Sequence, residues 1–210
     1  LVFRKSIKLD REAEIFAQLL RDDLQYHNIL LIGHSMGGLL CKAAVKWLIE
    51  ANDQATLKRL NGLILMAVPQ GGSIRTPALA GWFSSDAQVL KVHNEFVTNV
   101  ERAFQNHVSS DAESDRGKGV HLPTYAVKAA SDFWVDRLSA GLSLPDSQMK
   151  TVQGSHTSFI KPKTKNDEGY KYVLDRLARL LPAVALGPSV AWTPTMDALP
   201  VPATGARSKV

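Results

Sequence analysis

The 210-residue chain has one cysteine, no block of like charge, and no apolar run approaching the roughly 20 residues of a membrane span. A single cysteine excludes an internal disulfide and gives no sign of an oxidising compartment. Set among Leu39, Leu40, Ala43 and Ala44, Cys41 reads as a small buried hydrophobe and not as a reactive thiol. No signal-peptide pattern opens the sequence, and because residue 1 is Leu the natural start is expected upstream. The formal charge of +5 invites nucleic acid or anionic lipid as a partner. Lys and Arg are interspersed with acids, however, so the expectation is a solvated surface of mixed charge and no nucleic-acid partner. The scarcity of cysteine and of anchoring segments makes a cytoplasmic location the expectation. What the chain does have is 45% hydrophobic residues, enough for a full core, which excludes disorder of the whole.

The most informative segment is Gly33-His34-Ser35-Met36-Gly37-Gly38, directly after Ile29-Leu30-Leu31-Ile32 and directly before a helical pattern. A serine that attacks a carbonyl must stand clear of its sheet on a sharp strand-to-helix turn. Small residues two positions either side, Gly33 and Gly37, let the backbone take that shape without Cβ clashes. The helix that follows points its N-terminal dipole at the forming oxyanion. The pattern is weak alone and gains its weight from the strand before it and the helix after it.

The rest of the chain reads as alternating strands and helices. Ile15, Phe16, Leu19, Leu20 and Leu24 give residues 10–25 an amphipathic helical spacing, with Asp10 as cap. A strand over 28–32 follows. After the elbow, Leu40, Ala43, Ala44, Trp47 and Leu48 mark the apolar side of a second helix, with Lys42, Lys46 and Glu50 on the opposite face. Residues 62–68 are continuously apolar and stop at Pro69, as a strand buried on both faces of a parallel sheet would. Val89, His93, Phe96, Val97, Val100 and Phe104 mark a further helix, either a lid over the site or packed on the sheet. A polar stretch from Gln105 to Gly119 reads as a mobile loop. Residues 124–130 and 149–152 return to strand character, and a last helix spans about 167–181. From Pro182 the composition turns to Pro, Ala, Thr, Ser and Val, so the expected organisation is a domain over 1–181 and a tail or linker over 182–210.

A serine hydroxyl needs a base to take its proton and an acid to orient that base. On a nucleophile-elbow fold these follow in the order Ser, Asp or Glu, His, each after a strand. His156, in Gln153-Gly154-Ser155-His156-Thr157 after the last strand, is the candidate base. His34 sits inside the elbow and reads as support for the turn, while His27, His93, His107 and His121 read as solvent-facing or structural. Asp132 falls just past the 124–130 strand and is the favoured acid, with Asp136 as the alternative. The N–H of Met36, the residue after the nucleophile, is one oxyanion donor. The second is expected from a loop upstream of the first helix, which this sequence does not contain; a chain beginning near the middle of its sheet is therefore expected.

These residues resemble a family. Ile29 to Leu40 is similar to the nucleophile region of α/β-hydrolase serine esterases and lipases, especially those related to the glycosylphosphatidylinositol inositol-deacylases. Val68-Pro69-Gln70-Gly71-Gly72-Ser73 resembles that group's Thr-Pro-His-x-Gly-Ser turn, with Gln70 in place of His. Asp132-Phe133-Trp134-Val135 with Ser139-Ala140 resembles its acid loop, and Gly154 to Pro162 its histidine loop. The similarity covers about 10–181. It implies an α/β-hydrolase fold, a mostly parallel sheet with helices on both faces, here without its N-terminal strands. It also implies carboxylic-ester hydrolysis without metal or organic cofactor, on a lipid or other acyl ester, with transient contact to a membrane surface and further domains up- or downstream compatible with it. Trp82, Phe83, Phe133 and Trp134 are candidates for lining an acyl pocket or for core. Amide or thioester cleavage is a variant of the same chemistry. A catalytically weak module used for regulation or scaffolding is the alternative from a different class.

Overall fold

The computed structural model describes residues 9–23, 26–68, 87–110, 118–132 and 144–181. The apolar run before the serine forms β1 (Ile29–His34), and the run before Pro69 forms β2 (Leu60–Met66). They pair in parallel, Leu31 against Leu63 and Gly33 against Leu65. Two short strands, β3 (Val108–Ser109) and β4 (Val120–His121), make a separate parallel pair. Strand β5 (Thr124–Ala129) then lies beside β2, and β6 (Met149–Val152) beside β5. The main sheet is therefore ordered β1-β2-β5-β6, with every pairing parallel. All four strands end on the same side of the molecule, so the segments that leave β1, β5 and β6 meet there.

Among the described residues the α-helices are α1 (Leu9–Gln18), α2 (Met36–Glu50), α3 (Gln54–Leu57), α4 (Ala87–His107) and α5 (Glu168–Leu180). Helix α2 turns Leu39, Ala43, Ala44, Val45 and Leu48 into the core, where burying each leucine contributes about 2 kcal/mol. Its glycine at 38 lies against Leu65 and Val68, which places α2 on one face of β2. Helices α1 and α4 pack on α2. On the other face, Leu180 of α5 fills the space over Gly62. Arg176 of α5 stacks its guanidinium on Tyr125 and Tyr172, 4.7 Å from each ring centroid, joining that helix to β5. Helices thus cover both faces of the sheet.

Several local expectations change. The helix predicted over 10–25 is α-helical only to Gln18 and continues as a π turn over Leu19–Asp23. Arg59 donates to the carbonyl oxygens of Leu20 and Tyr26 beside this segment, a tertiary contact that local periodicity does not contain. Lys42, placed by its spacing on the face opposite the apolar one, is fully buried, because α4 lies over that side of α2 and brings Glu101 within 2.5 Å of its Nζ. The Lys42 ammonium also sits over the Phe104 ring. Burial pushes the Lys42 pKa below its ordinary value, and Glu101 offsets only part of that. Such a pair is poor evidence of net stabilisation, but removing one member of a buried pair costs about 3–5 kcal/mol.

The stretch 105–119, read as a mobile loop, begins as the end of α4 and then enters β3, where Val108 pairs with Val120 and Gln148 donates to the carbonyl of Ser110. Helix α3 was not foreseen. Asp53 caps it, accepting from the N–H and hydroxyl of Thr56. From Phe96 onward α4 buries Phe96, Val97, Val100 and Phe104 in the core, so this part of the helix is packed and does not act as a free lid. Cys41 is buried, in line with its reading as a small hydrophobe. No described helix is long and apolar enough to cross a membrane. The expected tail, 182–210, lies outside the described residues.

Candidate active site

Strand β1 delivers Ser35 at its C-terminal end, and α2 starts at the next residue. Ser35 has φ 52° and ψ −127°, a conformation that L residues rarely adopt and that costs on the order of 1–3 kcal/mol. The surroundings hold it there. Its N–H donates to the carbonyl of Met66 at the end of β2 (2.9 Å), and its carbonyl accepts from the N–H of Gly38 (3.1 Å). A Cβ on Gly33 would lie 2.3 Å from the Cα of Gly38, so strand and helix touch backbone to backbone. A Cβ on Gly37 would meet nothing within 4 Å. The close approach expected at Gly33 and Gly37 is therefore made by Gly33 and Gly38, because the first turn of α2 swings Gly37 outward.

The histidine loop leaves β6 through Gly154, whose φ of 128° suits glycine and little else. The Gly154 carbonyl accepts from the N–H of Ser131 (3.0 Å), which pins this loop to the end of β5. The Ser155 N–H donates to Ser158 Oγ (2.8 Å) and shapes the turn around His156. Asp132 follows β5 on the adjacent loop.

These three loops bring Ser35, His156 and Asp132 together. Asp132 Oδ2 lies 2.9 Å from His156 Nδ1, and His156 Nε2 lies 3.0 Å from Ser35 Oγ. The carboxylate can only accept, so Nδ1 carries the proton, Nε2 is the acceptor, and the serine hydroxyl donates to it. Ser35 is 3% and His156 5% exposed, and the Asp132 carboxylate is as well covered. In so dry a setting each of these polar contacts is stronger than it would be in water. Met36 is the first residue of α2, so its N–H has no partner within the helix and points the dipole's positive end toward the elbow.

His34, read as turn support, makes a specific contact that the sequence did not signal beyond its position as a polar residue ending an apolar strand. Its Nε2–H donates to the carbonyl oxygen of His156 (2.9 Å), and the two rings lie 4.8 Å apart. Burial pushes its pKa down. His27, His107 and His121 are exposed and away from this cluster, His121 meeting Ser109 Oγ at 3.1 Å. The His93 side chain, Asp136, Gln70, Trp82, Phe83, Phe133 and Trp134 lie outside the described residues, as do Val135, Ser139, Ala140 and the turn from Pro69 to Ser73. Among the described residues no three His, Cys, Asp or Glu side chains cluster as a metal site.

A parallel sheet carries a strained serine at a strand–helix turn, a carboxylate after a later strand and a histidine after the last, in that chain order. The fold is that of the α/β hydrolases. No protein-family model and no curated protein matches the chain. Among solved structures, the RedJ thioesterase of the prodiginine biosynthetic pathway in Streptomyces coelicolor is 16% identical, with a TM-score of 0.47, covering 82% of this chain and 70% of its own. The type II thioesterase BorB of the borrelidin biosynthetic cluster is likewise 16% identical, TM-score 0.47, over 83% of this chain and 73% of its own. The methylesterase MES16 from Arabidopsis is 18% identical, TM-score 0.45, over 82% of this chain and 78% of its own. In the present chain β1 is the strand that leads into Ser35.

Proposed function

We propose that the chain is a serine hydrolase acting on carboxylic esters, with Ser35 as nucleophile, His156 as general base and acid, and Asp132 as the orienting carboxylate. The observation that carries this reading is the unbroken hydrogen-bonded path from Ser35 Oγ through the His156 imidazole to Asp132. Ser35 Oγ attacks the ester carbonyl carbon as its proton passes to His156 Nε2. Asp132 stabilises the imidazolium that forms and keeps it in the productive tautomer. The Met36 N–H faces the developing oxyanion. Collapse of the tetrahedral intermediate expels the alcohol, which takes the proton from His156 and leaves Ser35 acylated. Water, deprotonated by the same histidine, then releases the acid and restores the serine. The substrate class proposed is a lipid or other acyl ester, and no metal or organic cofactor takes part in these steps.

The test is labelling with a fluorophosphonate, whose phosphorus is attacked by an activated serine with loss of fluoride. The chain is expected to label, and Ser35→Ala and His156→Ala are expected not to. A panel of p-nitrophenyl esters and acyl thioesters then separates ester from thioester preference. If only a chain extended upstream labels, the second oxyanion donor lies there; a folded extended chain that neither labels nor turns over any member of the panel would refute the enzyme reading and leave a non-catalytic module.

A further inference from the structure

Contacts to Asp132 and Ser35 orient the His156 ring, and the backbone from which the ring hangs must be held by other groups. That backbone belongs to a turn after the four-residue strand β6. One side chain that reaches it comes from β1, the strand that leads into Ser35. His34 extends from the last position of β1 and bonds the carbonyl oxygen of His156, a residue 122 positions away. Its ring is also packed edge-on against Phe159, with centroids 6.3 Å apart, in the same loop.

We propose that His34 is a positioning residue for the general base, tying the loop that carries His156 directly to the strand that carries Ser35. This rests on the reading of Ser35 and His156 as nucleophile and base. A carbonyl oxygen can only accept, so His34 holds its proton on Nε2. The opposite tautomer would set a lone pair against that oxygen and open the loop. A second requirement follows from the ring contact. His156 becomes positively charged during each turnover, 4.8 Å from the His34 ring. A charged His34 would oppose that step, and burial keeps it neutral, its pKa lying below the usual histidine range. One side chain therefore supplies a donor without supplying a charge, which Lys or Arg at this position would not do.

The proposal turns on where the donor sits. A glutamine amide reaches about as far as Nε2, whereas an asparagine amide sits where Nδ1 does. Fluorophosphonate inactivation is measured for wild type, H34Q, H34N and H34L, separating the limiting inactivation rate from the probe's binding constant, with circular dichroism melting as a check on folding. The expected result is a loss of roughly 10- to 100-fold in the limiting rate for H34N and H34L, unchanged probe binding, and H34Q within about fivefold of wild type. In parallel, the downfield proton NMR resonance of the His156 Nδ1–H held by Asp132 is expected in wild type and H34Q and broadened away in H34N and H34L. That signal needs no activity, so a wild-type chain that fails to label even when extended upstream would overturn the hydrolase reading while the resonance still tests the positioning role. Folded H34N and H34L that label at the wild-type rate and keep the resonance would overturn the proposal. So would H34Q falling as far as H34L, since the donor would then not be the cause.

Discussion

Replacing Gly33 by alanine tests whether the elbow is held by backbone contact. The new Cβ would sit 2.3 Å from the Gly38 Cα, 2.5 Å from the Gly38 N and 2.9 Å from the Gly37 carbonyl carbon, against 3.4 Å for ordinary contact. All three atoms are main chain, so no side chain can rotate away. The first turn of α2 must retreat by about 1 Å, a displacement that in an active site can cost on the order of 100-fold in rate. Overpacking of this kind also destabilises by about 1–3 kcal/mol. Ser35 Oγ, now 3.0 Å from His156 Nε2, is attached to the part that moves. Gly37→Ala is the internal comparison. Its Cβ meets open space, and alanine gains up to about 1 kcal/mol over glycine in a helix, so this variant should be at least as stable as wild type. Urea melts followed by circular dichroism give the stabilities, and fluorophosphonate labelling of Gly33→Ala gives the rate. A Gly33→Ala protein with wild-type stability and labelling would refute the reasoning. Equal destabilisation by the two alanines would refute it as well.

Asp132→Asn keeps the size of the side chain but favours the wrong imidazole tautomer, so the labelling rate should fall by roughly 10³- to 10⁴-fold, and a fall under tenfold would exclude Asp132 as the orienting acid. His34 should make folding acid-sensitive: its pKa is lowered from 6.5 by burial, so the unfolded chain binds its proton more readily. Its contribution to stability is complete above pH 6.5 and is lost as the pH falls toward the folded-state pKa, with His156 and Asp132 its titratable neighbours. Stability of H34L measured from pH 7.5 to 5 should therefore decline less steeply than that of wild type, and parallel declines would contradict this. Cys41 has its thiol pKa pushed up to about 11 by burial, leaving roughly a thousandth as thiolate at pH 8. Iodoacetamide should leave the native protein unmodified while alkylating it in urea, and rapid modification of the native form would contradict the burial.

The parts of this structure that were legible in the sequence are those set by local pattern. Ile29 to Ile32 and Leu63 to Val68 announce strands through unbroken apolar runs, and the glycine-flanked serine between a strand and a helix announces the elbow. His156 and Asp132 could be named because their order after successive strands is a property of the chain, and the structure brings both to Ser35. What could not be read depends on which surfaces meet. Lys42 has the spacing of a solvated face until α4 covers it with Glu101. Val108 and Val120 are isolated apolar residues beside a polar stretch, and only their mutual pairing makes them strands. Gly37 and Gly38 are indistinguishable by composition, yet only the second lies against Gly33. The His34 contact joins residues 122 positions apart and has no local signature.

His156 follows the shortest strand of the main sheet, four residues paired to β5 at the end of the strand order. The serine, by contrast, is anchored where β1, β2 and α2 bury the larger cluster of apolar side chains. Ser35 and His156 therefore belong to regions of unequal cohesion. A fluctuation that peels β6 from β5 withdraws His156 while the remainder of the molecule keeps its shape. Under mild denaturant or warmth, reactivity at Ser35 should vanish ahead of the loss of helical signal. The site then serves as a gauge of the weakest seam in the sheet.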